Sequence, residues 1–309
     1  MSRLSRPKVA LGPEPAPDWV AAAVEVGGGV VVPPSDADAL VWTDPRGVDE
    51  LRATLDANPD LTWVQLPWAG VERFAESGLF ADGRTWTCGK GVYAEPVAEH
   101  VMALALAGLR GLAARVVATE WGPPLGTSLY DGRVTILGGG GITEALLTLL
   151  APMRTEVTVV RRRPEVAVAG ARVVGRDRLH EALRGADAVV LALALTPETV
   201  GVIGRAELAA MEEHAWLVNV ARGEHVVTAD LVEALDNGWI GGAALDVTDP
   251  EPLPPGHPLF GRTNCIITPH CANTPEMARA PLTARITENV RRFATGQPLI
   301  GPVDPALGY

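Results

Sequence analysis

Apolar residues recur along this chain in two series of short runs, separated by stretches with helical spacing. In the first series Lys8-Val9-Ala10-Leu11-Gly12, Val30-Val31-Val32, Ala39-Leu40-Val41-Trp42 and Leu61-Thr62-Trp63-Val64-Gln65-Leu66 are bounded by Pro, Asp and Gly and predict strands. Asp18 to Val26 and Asp49 to Ala57 carry helical periodicity between them, and Gly27-Gly28-Gly29 stops the first helix. Pro96 to Arg110 predicts a strongly apolar helix. A proline near its start costs little, because the first N–H groups of a helix lack internal partners. Beyond a Gly/Pro-rich connection, Gly122 to Gly126, the second series predicts six strands: Val134 to Leu137, Val157 to Val160, Ala188 to Leu193, Trp216 to Asn219, Ala243 to Asp246 and Cys265 to Thr268. A last helix is predicted from Pro275 to Phe293.

Nearly continuous apolar strands alternating with helices imply parallel sheets covered on both faces, hence an α/β protein. The six-strand series has the make-up of a doubly wound nucleotide fold. The first series lacks a closing helix, so the last helix is expected to return to it. At 309 residues the chain is long enough for two domains.

The loop after the strand ending at Leu137 reads Gly138-Gly139-Gly140-Gly141-Ile142 and opens a helical run. Gly138 permits a tight turn. Gly140 lets the backbone approach a pyrophosphate, whose charge then faces a helix N-terminus. The place of a third glycine, which serves close helix–strand packing, is held by Thr143, which is expected to push the helix slightly outward. At the end of the next strand an NAD site has a carboxylate to accept from the ribose 2′-hydroxyl. This chain has Arg161, Arg162 and Arg163 there. Guanidinium groups only donate, and they suit a 2′-phosphate. NADP(H) is therefore the expected cofactor, with NAD(H) possible.

Composition narrows the field. A hydrophobic content of 47% with 20% charged residues marks an ordinary globular protein, and a net charge of −11 argues against nucleic-acid or anionic-membrane partners. Cys88, Cys265 and Cys271 form neither an even disulfide framework nor a metal-ligand spacing, and no metal is expected. Met1 to Pro17 has no apolar core of signal-peptide length, and Val101 to Leu109 is too short to span a bilayer. A cytoplasmic location is expected.

Candidate chemistry gathers near the C-terminus, in Arg222 of Asn219-Val220-Ala221-Arg222-Gly223, Glu251 of Asp249-Pro250-Glu251-Pro252, and His270 of Thr268-Pro269-His270. A cation, a carboxylate and a proton carrier downstream of a nucleotide loop suit hydride transfer to a 2-keto acid. With Trp68-Ala69-Gly70-Val71, Val97-Ala98-Glu99-His100, Thr196-Pro197-Glu198-Thr199 and Leu245-Asp246-Val247 in the same order, the chain resembles the D-isomer-specific 2-hydroxyacid dehydrogenases, in particular glyoxylate/hydroxypyruvate reductases.

The resemblance implies a Rossmann-type doubly wound NAD(P)-binding domain at 98–275, inserted into a flavodoxin-like substrate domain made of 1–97 and 276–309. It implies that Arg222 binds the substrate, that His270 is the acid–base and that Glu251 orients it. Asn219, Ala221 and Asp246 are implied near the cofactor. Trp68, Ala69, Gly70 and Val71 are implied at the substrate carboxylate, with Glu99 and His100 on a helix joining the domains. It also implies a homodimer, for which the apolar residues from Val97 to Leu112 are the expected interface. Trp68 and Tyr93 suggest room for a bulky 2-keto acid. Cys271, beside the acid–base, suggests redox sensitivity. The alternative is a dinucleotide-sensing interaction protein on the same fold, like the family's corepressor relatives.

Overall fold

The computed structural model describes residues 6–305, which form two compact units, 6–93 with 274–305, and Ala94–Asn273. In the first unit β1 (Lys8–Gly12), α1 (Asp18–Val26), β2 (Val30–Val31), β3 (Ala39–Trp42), α2 (Val48–Ala57), β4 (Trp63–Gln65), α3 (Glu72–Glu76) and β5 (Thr85–Thr87) follow in order. All strand pairs are parallel and the sheet order is β2-β1-β3-β4-β5. This is the flavodoxin-like order, with its switch point between β1 and β3. Every residue of β3 is buried because its alternating side chains enter two cores. Leu40 and Trp42 join Leu51, Leu55 and Phe74, while Ala39 and Val41 join Val20 and Val24. Strand β5 escapes sequence reading: Thr85-Trp86-Thr87 has one apolar residue, and pairing with β4 makes it a strand.

The second unit runs through α4 (Ala94–Leu109), α5 (Leu112–Val116), β6 (Arg133–Leu137), α6 (Gly141–Leu150), β7 (Glu156–Val160), β8 (Arg172–Val174), α7 (Leu179–Leu183), β9 (Ala188–Leu191), α8 (Arg205–Leu208), β10 (Trp216–Asn219), α9 (Thr228–Asp236), β11 (Gly242–Leu245) and β12 (Cys265–Ile267). Its parallel sheet has the order β12-β11-β10-β9-β6-β7-β8, a Rossmann-type arrangement whose switch point lies between β6 and β9. Seven strands replace the six predicted. The addition, β8, is a three-residue strand at the sheet edge with two apolar positions.

Much of helix α4 is interior to its own unit. Val97, Val101, Leu104, Ala105 and Leu109 are buried within this unit, and Gly108 lies so close to Trp216 that a Cβ would sit 2.2 Å from the indole. Apolar on most of its circumference, the helix uses that surface for internal packing. The exposed apolar residues follow it: Leu112, Val116, Val117, Trp121 and Leu125, with Trp121 98% exposed. Among the described residues no helix is long and apolar enough to cross a membrane.

The last helix, α10 (Pro275–Thr295), closes the first unit, as its missing layer required. The Thr274 hydroxyl accepts from the Met277 N–H as N-cap, Pro275 occupies the first turn, and Gly296 ends the helix in the left-handed conformation. Leu282, Ile286 and Val290 pack against Val20, Ala23 and Val24. One polar residue enters this apolar face. Buried Asn289 donates to Gln65 Oε1 (2.8 Å) and the Ile300 carbonyl (2.9 Å), and accepts from the Ile300 N–H (2.8 Å). Gln65 Oε1 also accepts from Thr87, so the network ties β4, β5 and α10 together. Asn289→Ala leaves buried partners unsatisfied, and urea unfolding is expected to show a loss of about 3 kcal/mol.

Candidate active site

Strand β6 ends at Leu137, and the chain turns at Gly138 with φ +114°. A Cβ there would lie 2.1 Å from the Ala192 carbonyl oxygen, so only glycine fits between β6 and the end of β9. Gly140 is the extended N-cap of α6, and a Cβ on it would meet nothing within 4 Å. Gly141 and Ile142 begin the helix, offering N–H groups without helical partners. Thr143 is fully buried, and its hydroxyl donates to the Gly138 carbonyl at 2.9 Å. The threonine thus pins the loop to the first helical turn by a hydrogen bond where a glycine would do so by close packing.

Arg161 follows β7 directly. Its guanidinium lies against the loop, 3.1 Å from where a Cβ on Gly139 would stand, and it makes no ion pair among the described residues. Among the described residues its one side-chain hydrogen bond is a long 3.4 Å contact to the Val166 carbonyl. Arg162 and Arg163 are exposed. An open glycine loop, a helix N-terminus and this cation are donor groups that fit a phosphorylated dinucleotide.

The turn after β10 is shaped by Asn219, whose buried amide accepts from the Ala221 N–H (3.0 Å) and donates to the Arg222 carbonyl (2.8 Å). Ala221 is buried and Arg222 is half-buried, its Nη1 donating to the Ala221 carbonyl at 2.6 Å. Gly223 comes next. A Cβ there would be 2.0 Å from the Thr248 carbonyl, so the Arg222 turn is seated directly on the backbone of the loop that carries Glu251. The sequence reading missed His225, which is fully buried. Its Nδ1 lies 3.0 Å from the Thr199 carbonyl and its Nε2 3.3 Å from that of Leu193. Burial first, and then Arg222, push its pKa down, against the raising effect of the two carbonyls. A histidine three residues beyond Arg222 in an apolar stretch was the available signal.

Asp246, at the end of β11, is 2% exposed and fully engaged. Its Oδ1 accepts from the Thr268 hydroxyl (2.6 Å) and the Cys271 N–H (2.9 Å), its Oδ2 accepts from the Ala272 N–H (3.0 Å), and His100 Nε2 lies 3.4 Å away. Burial pushes the carboxyl pKa up, but hydrogen bonds from His100, Thr268 and the two amides outweigh it and hold it at about 2. His100 therefore braces Asp246 from α4, while Glu99 beside it is exposed. His100, Asp246 and Cys271 bring ligand-type atoms within 4.8 Å of one another. Both Asp246 oxygens are already satisfied, and burial, followed by that carboxylate, pushes the Cys271 thiol above its ordinary range. A thiol with a raised pKa is the weaker nucleophile and the weaker metal ligand.

His270 is held in the left-handed region at φ +50°, a conformation costing a non-glycine residue about 1 kcal/mol. Its N–H donates to the Asp246 carbonyl at 2.8 Å, and the carboxylate network fixes the two residues that follow. The imidazole then meets Glu251, with Nδ1 2.8 Å from Oε1, both side chains about half exposed. An exposed pair of this kind adds little stability; its effect is to orient the ring and leave Nε2 for proton exchange.

The residues Trp68 to Val71 belong to the other unit, after β4. Trp68 is half-buried with its ring 5.1 Å from that of Tyr93, Ala69 is exposed and Gly70 half-buried. Val71 is buried, and its carbonyl accepts from the Phe74 and Ala75 N–H groups that begin α3.

A doubly wound unit with an open glycine loop at its switch point, and an oriented histidine at the ends of neighbouring strands, defines an NAD(P)-dependent oxidoreductase. Residues 100–272 match the family model of the D-isomer specific 2-hydroxyacid dehydrogenase NAD binding domain. A Corynebacterium melassecola protein, described only as an uncharacterized protein in the proB 3′ region, is 38% identical over 82% of this chain and 86% of its own length. The crystal structure of a D-isomer specific 2-hydroxyacid dehydrogenase from Xanthobacter autotrophicus, in complex with NADPH and MES, superposes with a TM-score of 0.84 at 28% identity, covering 99% of this chain and 100% of the other. The NADPH-dependent glyoxylate/hydroxypyruvate reductase of Sinorhizobium meliloti, in complex with NADP and sulfate, gives 0.81 at 26% identity, covering 98% and 100%. The chain belongs to the D-isomer specific 2-hydroxyacid dehydrogenase family.

The depressed Asp246 pKa makes a stability prediction. A carboxyl moved from its ordinary 3.8 to about 2 on folding contributes about 2 kcal/mol above pH 4, lost as pH falls through 2. Asp246→Asn is expected to remove this contribution, so the stability difference between wild type and variant, followed by denaturant titration, should shrink from pH 5 to pH 2.

Proposed function

We propose that this protein reduces a 2-keto acid to the D-2-hydroxy acid with a preference for NADP(H), glyoxylate and hydroxypyruvate being its minimal substrates. The observation that carries the reading is the 2.8 Å contact of His270 Nδ1 with Glu251, on a loop against which the Arg222 turn is seated. Arg222 binds the substrate carboxylate and polarises the adjacent carbonyl. His270 donates a proton from Nε2 to the carbonyl oxygen as it becomes an alkoxide, and Glu251 stabilises the imidazolium before that transfer. The backbone from Trp68 to Val71 receives the carboxylate on the first unit, which acts as the substrate-binding domain. Gly138 to Ile142 hold the pyrophosphate, Arg161 and Arg162 the 2′-phosphate, and Asn219, Ala221 and Asp246 shape the nicotinamide end. The nicotinamide bound there supplies the hydride. The NADP(H) preference is supported by Arg161 lying on the loop without a carboxylate partner, and by the NADPH and NADP complexes of the two similar structures.

The exposed apolar side chains from Leu112 to Leu125 support a homodimer. Light scattering is expected to give a dimer for the wild type and a monomer for Trp121→Asp. A wild-type monomer would reject this assembly.

Two variants in one assay test the chemistry. NADPH and NADH oxidation are followed in parallel with glyoxylate and hydroxypyruvate. His270→Ala is expected to lower kcat by roughly 10²–10⁴-fold with cofactor binding retained. Arg161→Ala is expected to lower kcat/KM for NADPH by about tenfold while sparing NADH, as the loss of a charge-assisted phosphate contact requires. An unchanged NADPH/NADH ratio in Arg161→Ala would reject its assignment to the 2′-phosphate.

A further inference from the structure

The first unit contains a cavity of about 340 Å³ that the chemistry above leaves unassigned. Its walls come from the carboxyl ends of two adjacent strands: Trp42 and Thr43 at the end of β3, and Pro67 and Trp68 beyond β4. Pro17 and Trp19, at the start of α1, and the first turns of α10 complete it. This is the place where parallel α/β sheets of the β2-β1-β3-β4-β5 order take ligands, outside the strand ends beside the β1/β3 switch point. Three indoles, three prolines, Leu282 and Ile286 make the lining mainly apolar. The polar groups are few. Gln65 is fully engaged with Leu66, Thr87 and Asn289, while Glu276 and Arg279 stand exposed on the α10 rim.

We infer that this cavity receives the side chain of the substrate, and that the substrate class is 2-keto acids with an aromatic or branched aliphatic side chain. The inference rests on the proposed reductase reading, because Trp68 belongs both to the cavity wall and to the turn assigned to the substrate carboxylate. A ligand anchored by its carboxylate at that turn has an apolar chamber beside the anchor. Size agrees: a cavity of about 150 Å³ already holds benzene, and pockets for small-molecule ligands begin at about 300 Å³. Glyoxylate has no side chain to place there, and the hydroxymethyl group of hydroxypyruvate would leave most of the apolar wall uncovered. A benzyl or isobutyl group buries apolar surface against apolar walls. Arg279, on the exposed rim, makes no ion pair among the described residues and adds positive charge at the mouth for an anionic substrate.

The experiment compares kcat/KM for glyoxylate, pyruvate, 4-methyl-2-oxopentanoate and phenylpyruvate with saturating NADPH, in wild type and two variants. Thr43→Phe fills the cavity and keeps the backbone bond from residue 43 to the Gly12 carbonyl; half-buried Trp19→Ala removes one wall and guards against a folding failure in the first. Each variant is checked for its unfolding midpoint and for NADPH binding. Phenylpyruvate is expected to exceed glyoxylate by at least about tenfold in the wild type, and Thr43→Phe to cut phenylpyruvate by about tenfold or more while leaving glyoxylate within about threefold. Trp19→Ala is expected to weaken phenylpyruvate alone. A wild type that prefers glyoxylate, or variants that lower all four substrates equally, would overturn the inference and leave the reductase reading standing. Titration calorimetry of D-3-phenyllactate and glycolate onto the NADP⁺-loaded protein separates the two ideas further. If no keto acid is turned over, the reductase reading fails. Phenyllactate binding that is lost in Thr43→Phe then still supports the cavity as a site, and no phenyllactate binding overturns it.

Discussion

The second unit's chemistry hangs on one buried carboxylate. Asp246 accepts hydrogen bonds from Thr268 and from the amides of residues 271 and 272, and its own carbonyl accepts from His270. The carboxylate is expensive to bury, and its donors together repay that cost well enough to hold it ionised down to a pKa of about 2. The consequence is geometric. With residues on both sides of it clamped, His270 is kept at a positive φ that an unconstrained chain would leave, and the ring is delivered to Glu251. Through these contacts Asp246 fixes where the His270 ring stands.

Two glycines act as the joints between this arrangement and its surroundings. Gly138 brings β6 within contact of the chain leaving β9, which opens the crevice at the sheet's switch point. Gly223 brings the Arg222 turn onto Thr248, so that the cation and the carboxylate of Glu251 sit on loops in direct backbone contact. His225 then ties the Arg222 turn to the loop after β9 through the carbonyls of Leu193 and Thr199. Three loops from three strand ends are thereby coupled, and the histidine that couples them is one that burial keeps from taking up charge.

The two units are built differently. The second presents polar atoms held by hydrogen bonds. The first is built on a five-stranded sheet whose strand ends support an apolar chamber and a turn, and one polar network, Gln65 with Thr87 and Asn289, locks its closing helix.

Much of this was legible in the sequence. Strand positions such as Ala39–Trp42 and Trp216–Asn219 are continuous apolar runs, and a run buried on both faces announces itself locally. The glycine loop, the arginines after β7 and the Arg222, Glu251 and His270 motifs are short segments whose chemistry is readable residue by residue. What stayed hidden depends on partners distant in the chain. Strands β5 and β8 have too few apolar residues to be seen and exist because a neighbouring strand pairs with them. Which part of the apolar surface of α4 is covered within its own unit follows only from packing against α6 and Trp216. Thr143 reads as a missing glycine until its hydroxyl is seen to bond Gly138. The bracing of Asp246 by His100, the burial of His225 and the apolar cavity under Trp42 and Trp68 follow from contacts between residues dozens to hundreds of positions apart. Local pattern determines which segments become strands, helices and glycine turns; the three-dimensional meeting of their ends decides which side chains are charged, which are struts and where a cavity is left.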